Sequence, residues 1–221
     1  MPMKYAVRKT AQPVKVDADW NKAVWKEVEP IPIKHFMGEE PEHQPKTQAK
    51  ALYDDESVYV IFHVEDRYVR AVNQDNPKIV CQDSCVEFFF TPGTDLSEGY
   101  FNIEVNCGGT MLFQFQETPQ KESQILQNPE KEGVEIAHSL PRRVDPEIEE
   151  PTTWTLEYHL PVKLLEKYCA VQKPAPGVVW RANFYKCADK TFHPHWLTWS
   201  VVDFPRPNFH LPEFFGTIEF E

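Results

Sequence analysis

Two glutamates, Glu87 and Glu104, are the residues of this chain most open to a chemical reading. Glycoside hydrolysis needs a pair of carboxyl groups ~5 to 10 Å apart, one of them an acid. Both glutamates lie in aromatic, β-branched stretches, 82–92 and 100–106, separated by Pro92, Gly93 and Gly99, so they can meet on neighbouring strands. In a chain with 34 Asp and Glu such pairs also arise by chance, and nothing in the local sequence marks one member for a raised pKa. Two other pairs, Cys81 with Cys85 and His193 with His195, could hold a metal. The five cysteines are odd in number and show no Cys-x-x-Cys spacing, which fits free thiols in a reducing compartment. No Gly-rich phosphate loop, GxSxG elbow or HExxH helix is present.

Aromatic side chains carry a stronger signal. Sugars present flat C–H faces that stack on Trp and Tyr while Glu, Asn, Gln and Arg take the hydroxyls. Trp196, Trp199, Phe204 and Phe209 crowd a Pro-rich terminal loop, and loops on a rigid scaffold are where binding residues concentrate. Trp199 and Phe215 flank strand-like positions and read as core; Trp196 and Phe209 read as platforms.

The elements that must position these residues are strands. Residues 100–106 place Phe101, Ile103 and Val105 on one face and Tyr100, Asn102, Glu104 and Asn106 on the other. Residues 46–53 and 58–66 alternate around the polar turn Asp54-Asp55-Glu56-Ser57 and form a hairpin, with His63 on its outer face. Further strands are expected at 14–17, 110–116, 134–140, 152–160, 178–187 and 217–220. Asp19 is expected to cap one short helix and Pro161 to open a second over 162–168. Stretches 39–45, 117–128 and 141–151 read as loops. The chain is therefore expected to be all-β: one antiparallel β-sandwich domain over 1–221, immunoglobulin-like or jelly-roll-like, with about ten strands and two short helices.

Composition narrows the partners. The 221 residues can bury a full core, and 20 prolines against 8 glycines disfavour long helices. A net charge of −11 argues against a nucleic-acid partner, which needs clustered Lys and Arg. No apolar run is long enough to span a membrane, and residues 1–10 lack a signal-peptide core. If Met1 is the native start the expected compartment is the cytosol; if a leader has been removed, the protein is secreted.

Four blocks in order resemble the family 9 carbohydrate-binding module and its DOMON-like β-sandwich relatives. They are Val14-Lys15-Val16-Asp17-Ala18-Asp19-Trp20 with Ala23 and Trp25; Leu52 to Val60; Asp83 to Phe89 followed by Phe101 to Asn106; and Leu197-Thr198-Trp199-Ser200 through Phe215-Gly216-Thr217-Ile218. The resemblance implies a non-catalytic module, often attached to xylanases in plant-polysaccharide breakdown, with structural calcium in some members. It also implies a sugar site that keeps Glu87 and Asn106 as hydroxyl binders; joined to the polar strand face and the aromatic terminal stretch, this makes the expected site a concave sheet face carrying Glu87, Asn102, Glu104 and Asn106, rimmed by Trp196, Phe209 and His210. Three departures stand out, one being that the second clamp position falls near Phe209, aromatic but not tryptophan. The clamp tryptophan that should precede Asp83 is absent, with Val80-Cys81 in its place, and the expected arginine of the next strand aligns with Glu104. Because DOMON-like relatives include cytochromes, haem binding through Met111 is a second implied function, and hydrolysis by Glu87 and Glu104 a third.

Overall fold

The computed structural model describes residues 3–221. Met1, on which the reading of the chain's start depends, lies outside the described residues.

Sixteen strands are formed among the described residues. In chain order they are β1 (Lys4–Lys9), β2 (Ile31–Ile33), β3 (His35–Phe36), β4 (Lys46–Tyr53), β5 (Ser57–Asp66), β6 (Val69–Ala71), β7 (Cys85–Thr91) and β8 (Tyr100–Asn106), then β9 (Met111–Thr118), β10 (Glu122–Ile125), β11 (Glu135–His138), β12 (Val144–Ile148), β13 (Thr152–Pro161), β14 (Val179–Cys187), β15 (Trp196–Thr198) and β16 (Gly216–Phe220). The two α-helices are single turns, α1 (Ala23–Lys26) and α2 (Val162–Leu165).

One layer runs β10-β9-β8-β7-β14-β16 and the other β4-β5-β13-β11, and β1 joins them. Lys4 to Val7 of β1 pair parallel with β16, while Arg8 and Lys9 pair parallel with β4. The expected antiparallel sandwich is thus correct except at this seam. The layers close on one core in which Phe88, Phe90, Phe101, Ile103 and Phe184 of the first meet Phe62, Val64, Trp154 and Tyr158 of the second. Full burial of each such side chain stabilises by ~1.5–3 kcal/mol, so the period-2 apolar faces fix which way every strand faces.

Each layer also has a covered outer face. Trp25, Val14 and Val28 pack on Leu52, Tyr59 and Ile61 of the second layer. Met37, Val80, Val202, Phe209 and Phe215 pack on Cys85, Phe89, Tyr100, Tyr185 and Cys187 of the first. The face of β8 expected to be polar is therefore buried as well, and all seven residues of that strand are inside.

Several local expectations are corrected. Residues 14–17 form no strand, because Glu157 takes up the Asp17 and Ala18 amides that a neighbouring strand would have paired. Asp19 caps no helix: its Oδ1 accepts from the Asn21 amide in a tight turn, and α1 begins at Ala23 with no side-chain cap. The second helix stops at Leu165 rather than 168, and Pro161 precedes it. The stretches 117–128 and 141–151 contain β10, paired with β9, and β12, paired with β6. The tight β7–β8 connection depends on Gly99: at φ +87° its Cα lies so close to β9 that a Cβ would sit 2.5 Å from the Gln116 carbonyl oxygen.

Candidate functional site

The outer face of the β14-β7-β8 strip forms the floor of the site. Antiparallel register sets Glu87 directly opposite Glu104 and Cys85 opposite both Asn106 and Cys187. Residues 207–210 pass over this strip and leave a cavity of ≈ 180 Å³. Its floor is Glu87, Glu104, Phe89 and Cys187, and its walls include Asp189, Trp196, Gln120, Asn208, Phe209 and His210.

Each wall is held in place. Phe209 stacks on Tyr185 with ring centroids 4.1 Å apart, and the Tyr185 hydroxyl donates to the Phe209 carbonyl oxygen. His210 Nδ1 lies 2.7 Å from the Tyr100 hydroxyl, with its ring against Phe89. The half-buried Trp196 is fixed by its indole N–H, which donates to Asp189 Oδ1 at 2.8 Å. Gln120 Nε2 donates to Asn208 Oδ1 and closes the far rim.

The floor is acidic and lacks a counter-cation. Glu104 accepts one hydrogen bond, from Asn102 Nδ2 at 2.9 Å, and Glu87 accepts one, from the Cys187 thiol at 3.0 Å. No Lys or Arg lines the cavity. Burial pushes the Glu104 carboxyl up to about 7. Burial, then the neighbouring Glu104, pushes Glu87 well above the usual carboxylate range. Asp189 is raised by burial as well, and burial lowers His210 to about 4, leaving a neutral imidazole at the rim.

Of the seven residues expected to bind ligand, five line this cavity: Glu87, Glu104, Trp196, Phe209 and His210. The other two are placed elsewhere. Asn102 is fully buried between Glu104, Gln114 and Gln116, where it orients the Glu104 carboxyl. Asn106 is fully buried against Asp83 and accepts from the Thr110 amide, so it closes the β8–β9 turn. Asp83 itself accepts from the amides of Val72 and Asn73. Asp189, Gln120, Asn208 and Cys187 were not expected. Cys187 was within reach of the alternation argument, since it lies on the β14 face opposite Trp180, Ala182 and Phe184. The other three lie in loops with no periodic signal.

The two metal-pair expectations fail geometrically. Cys85 lies close to Cys187 and Glu87, in a group that does not include Cys81. His195 is buried against Lys186, whereas His193 turns outward to Tyr68 and Glu42.

The model of carbohydrate-binding family 9 matches residues 17–220. The chain belongs to carbohydrate-binding family 9. Family 9 modules are non-catalytic, so the adjacent carboxyl groups are not a hydrolytic pair. Among solved structures, the module is similar to a candidate carbohydrate-binding protein of Bacteroides uniformis, 27% identical over 100% of both chains with a TM-score of 0.85. It is similar in fold to a family 9 module of Caldicellulosiruptor kristjanssonii in complex with cellotriose, 15% identical over 99% of this chain and 94% of that one, TM-score 0.68. The same holds for a family 9 module of that organism in complex with glucose, 16% identical over 99% and 96%, TM-score 0.65. No curated protein matches the chain significantly.

Calcium, expected from the resemblance, would need an oxygen-rich donor set. It takes ~6–8 oxygen ligands. The one group of three or more close metal-ligating side chains among the described residues is Cys85, Glu87 and Cys187, rich in sulfur. The oxygen-rich corner formed by Lys15 O, Asp17 Oδ1 and the Glu157 carboxylate is already filled by the Lys22 ammonium. Met111, named for haem ligation, belongs to the main core on the opposite side of β9 from the cavity. No helix among the described residues is long and apolar enough to cross a membrane.

Proposed function

We propose that this family 9 module binds one neutral sugar ring, free or at the end of a short glucan, in the cavity between the β7–β8 hairpin and residues 207–210. The observation that carries the reading is the pairing of a hydroxyl-binding floor with an aromatic wall: Glu104, oriented by Asn102, faces the cavity that Trp196 borders. A carboxyl group raised to about 7 is partly protonated at neutral pH, so it can donate to one sugar oxygen and accept from another hydroxyl. Trp196, pinned by Asp189, offers a ring for the C–H face, and Phe209 offers a second. At ≈ 180 Å³ the cavity is smaller than the ~300–1,000 Å³ of drug-sized sites, which supports a single ring over a chain laid along the sheet. The fold neighbours in complex with glucose and cellotriose support the same ligand class. Glu104, at the position where the family pattern has arginine, implies a different hydroxyl selectivity from theirs.

Calorimetric titration with glucose, cellobiose, cellotriose and xylobiose tests the proposal. Saturable binding of at least one is expected, and Trp196→Ala should weaken it about tenfold, the equivalent of one lost aromatic contact of ~1.4 kcal/mol. Absence of binding to every saccharide on a broad glycan array would overturn it.

A further inference from the structure

We propose that the cavity floor is a binding site for one thiophilic divalent cation of the zinc class, ligated by the Cys85 and Cys187 thiolates and the Glu87 carboxylate. The ligand atoms of these three residues all lie within 4.8 Å of one another. Their placement follows from strand geometry: Cys85 and Cys187 are a directly opposed pair on β7 and β14, and Glu87 lies two residues from Cys85 on the same face. Zinc–sulfur bonds of ~2.3 Å and zinc–oxygen bonds of ~2.0–2.2 Å in a tetrahedron separate ligand atoms by roughly 3.3–3.8 Å. Binding therefore draws the three side chains together from within 4.8 Å to that spacing. The Cys187 thiol donates to Glu87 Oε1 at 3.0 Å, so these two ligand atoms already face each other.

Charge and donor type select the cation. Glu87, Glu104 and Asp189 surround a cavity lined by no Lys or Arg. A sugar ammonium group would be served by the carboxylates but would gain nothing from two buried thiols, and calcium is disfavoured by sulfur. Three protein ligands leave a fourth position, and the cavity provides both access to it and room for a water or hydroxyl. Binding releases the two thiol protons to solvent, and the Glu87 proton when it is present. Because thiols bind the cation as thiolates, affinity should rise with pH. This site stands whether or not the cavity takes a sugar.

The test is titration of the reduced, chelator-treated full chain with cobalt(II), followed by zinc. A thiolate-to-cobalt charge-transfer band saturating at one equivalent and bleached by zinc is expected. Cys187→Ser and Glu87→Gln should each weaken cobalt binding by at least the ~10- to 100-fold that even outer-shell partners cost. Cys107→Ser, buried on the opposite side of the sheet, should leave it unchanged, and thermal melts show which variants fold. The proposal is overturned by the absence of a thiolate band, by a band that survives Cys187→Ser, or by isolation of the fresh protein with a Cys85–Cys187 disulfide. Sugar binding, measured separately in chelated protein, distinguishes failure of this site from failure of the sugar reading.

Discussion

Lys186 and Cys187 are consecutive residues of β14, yet they face two opposite electrostatic environments. Lys186 points to the core side, where its ammonium donates to His195 Nε2 at 2.7 Å and lies 3.5 Å from Asp66 Oδ2. Asp66 Oδ1 is in turn 2.7 Å from His43 Nε2. Opposite charges face one another there, and Lys186 and the nearby histidines outweigh burial to hold Asp66 down at about 2. Burial and the adjacent Lys186 hold His195 down at about 3. His195 is thus neutral, accepting from Lys186 through Nε2 with its Nδ1 toward the His193 carbonyl oxygen. Cys187 points to the cavity side, where carboxyl groups face one another with no cation. The first cluster sets an ammonium against a carboxylate; the second has carboxyl groups and no cation. Buried polar groups left without partners are costly, and natural folds retain them where a ligand completes them.

Breaking the first cluster should have the largest effect. Asp66→Ala strands the Lys186 ammonium and is expected to cost about 3–5 kcal/mol, measured by urea unfolding. A change below 1 kcal/mol would mean that the cluster is not held by its charges.

The two sides of β14 should also respond oppositely to pH. His195 has a folded value near 3 against 6.5 unfolded, so the unfolded chain binds more protons between those values and stability rises with pH there. Glu104 has a folded value near 7 against 4.5 unfolded, so the folded chain binds more protons and stability falls as pH rises through that window. The windows overlap from 4.5 to 6.5 with opposed slopes of about 1.4 kcal/mol per pH unit per group. In chelator-treated protein these two contributions therefore oppose each other across the overlap. Glu104→Gln should expose the rising slope and gain stability over wild type toward pH 7; parallel profiles would show that the Glu104 carboxyl is not strained.

A smaller effect separates the floor from what lies beside it. Asn106→Ser removes the donor to Asp83 and should cost roughly 1–3 kcal/mol of stability while leaving sugar affinity unchanged. Weaker sugar binding at full stability would return Asn106 to the binding set.

The sandwich was legible because alternation is a local signal: β4, β5, β8 and β13 each write their two faces into consecutive residues. Alternation told the faces of β8 apart but could not tell that both are covered, because the cover comes from separate segments, Met37 and Val80 before the strand and residues 202–215 after it. The same limit hid Cys187 as a neighbour of Cys85 and Asp66 as a partner of Lys186, since both depend on register between distant strands. β1 was missed because a single buried residue, Val7, leaves no periodic pattern. Alternation puts Asn106 on the polar face and resemblance makes it a ligand, yet its side chain serves the turn rather than the cavity. Within the cavity, strand residues and aromatic anchors were legible, whereas Asp189, Gln120 and Asn208 were not, because loop conformation places them.

The most direct measurement is a protein-observed NMR titration with cellobiose. Binding in the cavity predicts shifts confined to the Trp196 indole N–H and the amides of Glu104, Asp189, Phe209 and His210. Saturable shifts clustered instead around residues 10–15 and 22–24, which line a separate cavity beside α1, or no shifts with any saccharide that binds, would contradict it.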